Sequence, residues 1–376
     1  MKATTLAAGM VCGMMTFLRA EERKNLDVDF EALFASDIFQ TQTTGSFSSV
    51  SGRNLWRVSL SGATIGMDFD SVGSESRALD KRRLSGQLDF KLGVGPRVQL
   101  LASMSYYDGF GNYSSLWLSE YYRQLHGNPN ILVDPAYADS KPHGAALTGG
   151  ARLEYLPAAG YLETTVTYAR DVIAPGYGDF FDAENNFQLV RLRDELNTVA
   201  WGVRAENVLT RRLRSLVEFR LVSQSLRELR YVAQGQLNWA VAEPWVVRME
   251  AGYANEKYAP DQITGELTPG TFEARWGALT AEYHPWDAWY FSLTGRYYSD
   301  TGQTESSISA SSASPALQSW SVGLGVRWVQ GRHSIKVFGA PYITRFEEVR
   351  GATILFGSLY RDRHMGVAQA SYSYEF

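Results

Sequence analysis

The 376-residue sequence has one cysteine, Cys12, and its five histidines are scattered along the chain. Cys12 lies in an apolar N-terminal stretch, so the remainder of the chain has no disulfide and no thiol chemistry. No pair of histidines has the spacing of a metal site, and neither a G-x-S-x-G motif nor a phosphate-binding glycine loop before a helix occurs. We therefore predict no catalytic residue, no metal site and no cofactor.

The sequence also lacks a strong net charge and long apolar runs. Its formal net charge is -4, and its basic residues form no stripe, which argues against nucleic acid as a partner. Beyond residue 20, no stretch approaches the ~20 apolar residues that a membrane helix needs. Any membrane contact in that part of the chain must therefore be made by strands.

Residues 1–20 have the layout of a secretory signal peptide. Lys2 precedes an apolar run from Leu6 to Leu18, and the polar residues 21–24 follow directly after Ala20. We predict a signal peptide over 1–20, an N-terminal segment over 21–53 and a barrel over 54–376. The N-terminal segment could be a plug, a linker, or a first strand with its loop. A lipid anchor at Cys12 is a weaker alternative, because no small residue stands before it.

From residue 54 onward the sequence repeats one pattern: about ten alternating apolar and polar residues, a short turn, a second such run and a longer polar segment. In the clearest case, alternation from Leu84 to Leu92 is followed by the turn Gly93–Pro96 and by alternation from Val98 to Tyr106. Further short turns are predicted at Leu156–Gly160, Leu209–Arg212, Ala242–Pro244, His284–Asp287 and Gln330–Arg332. The pattern predicts an all-β, transmembrane antiparallel meander barrel with short periplasmic turns and long external loops.

The number of strands depends on where the barrel begins. Counting from Asn54 gives 14 strands, which is our primary prediction. A hairpin near residues 61–62 and an added strand over residues 26–34 would give 16. The apolar positions change from even numbers at Trp56 to odd numbers at Ile65, which favours a break, but a β-bulge would explain the change equally well.

If the apolar faces contact lipid, the polar faces line a lumen, and opposite charges recur there two residues apart. The lumen-lining candidates are Arg152, Glu154, Arg204, Glu206, Glu218, Arg220, Arg248, Glu250, Glu273 and Arg275. These pairs could shape the field of an aqueous pore or simply brace and hydrate the interior. Further basic residues such as Arg296 and Lys336 make the interior slightly basic and predict a weak preference for anions.

The last strand places Tyr372, Tyr374 and the terminal Phe376 at alternating positions of its apolar face. In this feature, which covers about ten residues, the chain resembles the outer-membrane β-barrel proteins of Gram-negative bacteria. The resemblance is to the class, in its porin-like form, and to no specific family. It implies an integral outer-membrane location, contact with outer-membrane lipid, and recognition of Tyr372, Tyr374 and Phe376 as an assembly signal by the barrel-assembly machinery.

The function we expect is a passive, porin-like channel for small hydrophilic solutes. A plugged, non-conducting barrel that binds through its external loops is the main alternative, with residues 108–146 or 21–51 as the plug. A less favoured alternative is an outer-membrane hydrolase, with an acid/base site built from His126 and His143 together with loop carboxylates. Whether the barrel forms a homo-oligomer is left open.

Overall fold

The computed structural model describes residues 22–70, 76–109, 143–181, 187–224, 227–258, 271–301, 316–347 and 362–376. Within these ranges the chain forms sixteen β-strands, numbered in chain order. Their bounds are β1 Glu22–Phe34, β2 Ile38–Ser51, β3 Asn54–Asp70, β4 Ser76–Gly93, β5 Val98–Gly109, β6 His143–Leu156, β7 Gly160–Phe181, β8 Phe187–Thr210, β9 Leu213–Gln224, β10 Arg227–Ala242, β11 Trp245–Tyr258, β12 Thr271–Trp286, β13 Trp289–Asp300, β14 Leu317–Gln330, β15 His333–Phe346 and β16 Arg363–Glu375.

Each strand pairs antiparallel with the next along the chain, and β1 pairs with β16, so the sheet closes into a barrel. Closure pairs every strand of the sheet on both sides, which removes the unpaired backbone groups that a strand with only one neighbour would present. The predicted all-β antiparallel meander is confirmed. The predicted count of 14 strands is wrong, and the alternative of 16 is correct.

The two additional strands come from the N-terminal segment, ahead of residue 54 where the sequence analysis begins the barrel. β1 pairs with β2 through a three-residue connection, Ala35 to Asp37, and both strands belong to the barrel wall. β1 alternates clearly, with Val28 and Phe30 on one face and acidic residues on the other. β2 alternates weakly, because serine, threonine and glycine occupy much of both of its faces.

β3 is one unbroken strand of 17 residues. Its pairing with β2 and with β4 runs from one end to the other without a register shift. Neither the hairpin expected near residues 61–62 nor a β-bulge is present, so both explanations of the change in parity along this segment are wrong. The apolar residues change from one face of β3 to the other along its length, while the strand itself continues without interruption.

The two ends of the barrel differ in their connections. One end, called the turn end below, carries the short connections that follow the even-numbered strands β2 to β14, and all six short turns expected from the sequence lie there. Two of these turns contain glycines with left-handed backbone, Gly52 (φ 59°) and Gly331 (φ 58°), a conformation that glycine adopts without steric strain. The opposite end, called the loop end, carries the other connections. There β7 and β8 extend as strands into the segment 171–195.

The last strand completes the wall. Leu26 of β1 pairs with Tyr374 of β16, and the backbone N–H of Phe376 donates a hydrogen bond to the Lys24 carbonyl at 2.9 Å. The Phe376 ring lies 4.9 Å from the Tyr374 ring and 6.1 Å from that of Phe47 on β2. The aromatic positions of the predicted assembly signal thus lie on the outer face, at the seam where the barrel closes.

Within the described ranges, no helix has the length and apolar character needed to cross a membrane. Residues 1–20, for which the sequence predicts a signal peptide, lie outside the described part of the chain.

Candidate functional site

The pairing register sorts every strand into an outer and an inner face. Residues paired across neighbouring strands share a face, so the face can be followed around the barrel from one strand to the next. Most large apolar side chains lie on the outer face. Their exposed fraction reaches 69% for Leu324 and 66% for Leu84. Polar and charged side chains dominate the inner face, which encloses the lumen. This is the apolar-out, polar-in arrangement of membrane barrels.

Eight of the ten lumen-lining candidates lie on the inner face. They are Arg152 and Glu154 on β6, Arg204 and Glu206 on β8, Glu218 and Arg220 on β9, and Arg248 and Glu250 on β11. Neighbouring strands also bring these residues together, since Arg204 is opposite Glu218 in the register.

The remaining two candidates, Glu273 and Arg275, lie on the outer face, so their assignment to the lumen is wrong. Both are odd-numbered positions of β12 and share their face with Leu279, whose side chain is exposed among the outer apolar residues. The two side chains contact each other at 3.7 Å near the loop end, where their side chains are 73% and 38% exposed. The parity of Leu279 is the sequence signal that could have identified the error.

Ion pairs on the inner face mostly join different elements and not residues two apart. Arg152 contacts Glu206 at 3.8 Å, and Glu154 contacts Arg53 of the β2–β3 turn at 3.5 Å. Among the described inner-face candidates, Arg220 alone pairs with its own near neighbour, Glu218, at 3.5 Å. The contacts therefore brace one strand against others, in addition to setting the charge of the lumen.

Several arginines of the inner face lie against aromatic rings, a feature that the sequence analysis missed. The distances from guanidinium carbon to ring centroid are 4.5 Å for Arg83 and Tyr107, 4.1 Å for Arg152 and Tyr161, 4.0 Å for Arg327 and Tyr290, and 5.3 Å for Arg296 and Phe338. Such stacking is attractive, and it holds the long side chains along the wall. Finding these contacts requires the register between strands, which the sequence alone does not contain.

Strand β1 adds a row of carboxylates to the lumen. Asp27, Asp29 and Glu31 alternate with outward-facing apolar residues, so all three lie on the inner face. These carboxylates oppose the slight excess of basic residues that the sequence predicts for the lumen. That prediction did not count β1 as part of the wall. The described lumen therefore has an acidic wall at β1, and basic residues such as Arg296, Arg327 and Lys336 on β13 to β15.

A buried ion pair lies at the loop end of the seam. Nε of Arg363, the first residue of β16, donates to Oδ2 of Asp37 in the β1–β2 connection at 3.0 Å. The side chains are only 6% and 8% exposed. The pair joins two segments far apart in sequence, and burial strengthens its charge-assisted hydrogen bond relative to an exposed one.

A recess of about 240 Å³ opens in the inner wall, in the half of the barrel nearer the loop end. Residues of β1, β2 and β13 to β16 line it, and all of them belong to the inner face. The recess combines charged, amide, hydroxyl and apolar side chains. A small number of polar groups with an apolar lining is the usual chemistry of a small-molecule site.

The residues expected for a hydrolase are only partly described. His126 lies outside the described ranges, and His143 begins β6, opposite Asp108 of β5. Among the described residues, no group of three or more histidine, cysteine or acidic side chains is placed to hold a metal ion.

Comparison with known proteins shows similarity in fold without similarity in sequence. Neither a protein-family model nor a curated protein sequence matches this chain. A solved structure described as a bacterial polysaccharide outer membrane secretin is similar over 94% of this chain and 98% of its own, with a TM-score of 0.50 and 9% identity. CdiB from Escherichia coli (TM-score 0.52, 10% identity, 96% of this chain) and CdiB from Acinetobacter baumannii (0.51, 10%, 95%) are also similar.

The chain spans only 64% and 60% of those two CdiB structures. All three neighbours are less than 25% identical to this chain, so the likeness concerns the fold and not the activity. The fold of this chain, a closed antiparallel barrel of sixteen strands, is that of outer-membrane β-barrel proteins.

Proposed function

We propose that the chain is an integral protein of the outer membrane of a Gram-negative bacterium, and that its barrel passively conducts small hydrophilic solutes. The observation that carries this proposal is the contrast between the two faces of the wall. The outer face presents large apolar side chains to its surroundings, and the inner face presents charged and amide side chains to a wide lumen. In this proposal the barrel is a porin-like channel and not an enzyme.

The outer face supports contact with lipid. Exposed leucine, valine, phenylalanine and tryptophan side chains occur on strands all around the barrel. An apolar belt of this extent is far larger than a soluble monomer presents to water, and lipid is the solvent that matches it.

Aromatic side chains near both ends of the belt support the same proposal. Trp289 and Tyr297 are both exposed on the outer face of β13, eight residues apart. This spacing is about 27 Å along the strand, or about 20 Å along the membrane normal at a tilt of ~40°, comparable with an apolar band of ~25 Å. Other exposed outer aromatics close to the turn end are Tyr155, Trp239, Trp245, Trp286 and Phe376.

The number of strands supports a water-filled lumen. Sixteen strands spaced ~4.8 Å apart and tilted by ~40° have a circumference of about 100 Å, so the backbone diameter is about 32 Å. Eight-stranded barrels, of about half that width, are just filled by their side chains. The inner side chains of this barrel therefore leave space between the walls, and several of them, such as Arg220 and Lys336, are exposed.

The main rival is a plugged barrel. Of its two candidate plugs, the N-terminal segment forms β1 and β2 in the wall, so the described part of it does not fill the lumen. The other candidate, residues 108–146, lies largely outside the described ranges, which omit residues 110–142. The hypothesis of a plugged barrel therefore depends on the segment 108–146. A conductance measurement distinguishes a plugged barrel from an open channel.

The experiment that tests the proposal is single-channel recording of refolded residues 21–376 in a planar bilayer under a salt gradient. We expect stable ohmic steps. A folded, heat-resistant barrel that never conducts would contradict the channel and favour the plugged barrel.

Variants of inner and outer residues test whether the current passes through the lumen. Glu218→Gln removes a lumen carboxylate and should move the reversal potential toward anion selectivity, whereas Arg220→Gln should move it toward cations. Arg275→Gln is the matched control, because this arginine also pairs with a glutamate two residues away but lies on the outer face. An equal shift from the control variant would show that the current does not follow the lumen wall.

A further inference from the structure

We propose that the recess in the inner wall binds zwitterionic solutes with an apolar side chain, of the size of a free apolar α-amino acid such as leucine. This inference rests on the proposed function, because it names the class of solute that the lumen would select. It starts from two opposite charges that line one recess, Glu31 on β1 and Arg296 on β13.

Neither of these charges has an ionic partner within the described chain. Glu31 accepts a hydrogen bond from the Gln369 amide at 2.8 Å and contacts no cationic side chain. Arg296 lies over the Phe338 ring at 5.3 Å, and no carboxylate is within ion-pair distance of it. Most other lumen arginines described above do have a carboxylate or amide partner, so Arg296 keeps its guanidinium donors available for a solute.

The floor between the two charges is apolar. Leu33, Ala340 and Val367 line the recess together with the edge of Phe338. A solute whose ammonium contacts Glu31 and whose carboxylate contacts Arg296 would place its side chain over this floor. A planar guanidinium suits a carboxylate well, because it can donate two parallel hydrogen bonds.

The size of the recess limits the solute. A protein cavity of about 150 Å³ can hold benzene, which has six non-hydrogen atoms. The recess of about 240 Å³ therefore holds roughly ten non-hydrogen atoms in proportion. Leucine, with nine non-hydrogen atoms, fits this volume, whereas a longer peptide would extend out of it into the lumen.

Other classes of solute match the recess less well. A simple anion would be attracted by Arg296 but repelled by Glu31. A simple cation would be attracted by Glu31 but repelled by Arg296. A neutral sugar would leave both charges of the recess without a counter-charge, and Phe338, which is only 5% exposed and is covered by Arg296, offers it no free face. Phe338 can lie against the wall because Gly323 leaves room for its ring: a Cβ at Gly323 would clash with Cζ of Phe338.

The recess is also well placed to meet an arriving solute. Glu31 is three residues from the loop end of β1, and Gln40 and Gln42 line the recess near the loop-end start of β2. Amide groups at these positions can exchange hydrogen bonds with a solute as it moves between the charges. A solute entering from the loop end therefore reaches the recess before the ion pairs near the turn end, such as those of Arg152 and Glu154.

The first test uses the unaltered barrel, so it does not depend on the folding of a variant. Refolded residues 21–376 are titrated with L-leucine in detergent by calorimetry, and single-channel current is recorded with L-leucine on the loop side. Leucine methyl ester lacks the carboxylate, N-acetylleucine lacks the ammonium, and glucose lacks both. We expect leucine to bind and to interrupt the current briefly. Each analogue should bind at least about tenfold more weakly than leucine, because it loses a charge-assisted contact.

The second test removes each charge of the recess. Glu31→Gln and Arg296→Gln should each weaken leucine binding about tenfold, while Lys336→Gln, a lumen cation outside the recess, should leave it unchanged. A barrel that conducts salt but treats leucine like glucose overturns this inference and leaves the channel intact. A barrel that never conducts, yet binds leucine through Glu31 and Arg296, would contradict the proposed channel function and support the proposed binding site.

Discussion

The buried ion pair between Asp37 and Arg363 allows a quantitative prediction about the seam of the barrel. Arg363→Ala removes the guanidinium whose Nε lies 3.0 Å from the carboxylate of Asp37, a side chain that is only 8% exposed. Removing one partner of a buried ion pair typically costs about 3–5 kcal/mol. We therefore expect Arg363→Ala to lower the free energy of unfolding by about that amount, with a similar loss for Asp37→Ala.

The control is the outer pair formed by Glu273 and Arg275, whose closest nitrogen and oxygen atoms are 3.7 Å apart and whose side chains are 38% and 73% exposed. An exposed pair contributes about 0–1 kcal/mol, so Arg275→Ala should change the free energy of unfolding by less than 1 kcal/mol. The two arginine variants thus compare the loss of a buried, hydrogen-bonded ion pair with the loss of an exposed one.

The assay is reversible urea unfolding in lipid vesicles, followed by tryptophan fluorescence and by the mobility of the unheated barrel on a gel. The double variant Asp37→Ala/Arg363→Ala completes the cycle and should recover part of the loss, because it leaves no unpaired charge. Equal, small effects of Arg363→Ala and Arg275→Ala would refute the reasoning, since burial would then have no influence on the strength of the pair.

Three further predictions follow from the two faces of the wall. Phe376→Ala should slow assembly into membranes, seen as delayed appearance of the heat-modifiable gel band, because its ring packs at the seam, whereas Phe90→Ala on β4 should not. Gly323→Val should lower the free energy of unfolding in urea by about 1–3 kcal/mol, because its Cβ would meet Phe338 and Ala340, while Gly149→Val, with open space around it, should be neutral. A nitroxide on Leu324→Cys should collide mainly with oxygen dissolved in lipid, and one on Lys336→Cys mainly with a water-soluble nickel complex; the reverse ranking would contradict lipid contact of the outer face.

Alternation was sufficient to predict the class of fold and most of the wall. Short turns at Gly93–Pro96 and Leu156–Gly160 were recognisable because glycine and proline interrupt clear period-two runs on both sides. The sequence pattern did not predict β2 as a strand of the barrel. Its outer face includes Thr41, Thr43 and Gly45, so it has little apolar contrast, and the sequence pattern alone did not reveal it as a wall strand. Without β2, the strand over residues 26–34 gave an even strand count only together with a hairpin near residues 61–62, which the unbroken β3 does not contain.

The candidate site was less predictable than the wall. Pairs of opposite charges two residues apart do indicate a common face, but they do not tell which face, as Glu273 and Arg275 show. The recess brings Glu31 beside residues such as Arg296 and Gln369 because the barrel closes on itself. No local pattern in a sequence records a neighbour that is more than 250 positions away, so these contacts emerge only once the register of every strand is known.

The pairing of β1 with β16 also has a consequence for the order of folding. The two strands lie at opposite ends of the described chain, so their pairing is the least local contact in the molecule, and such contacts form late because closing a long loop is entropically unfavourable. Until β16 pairs with β1, the growing sheet has two open edges, each able to pair with a foreign strand. A partly assembled sheet would therefore be prone to aggregate until its first and last strands have paired.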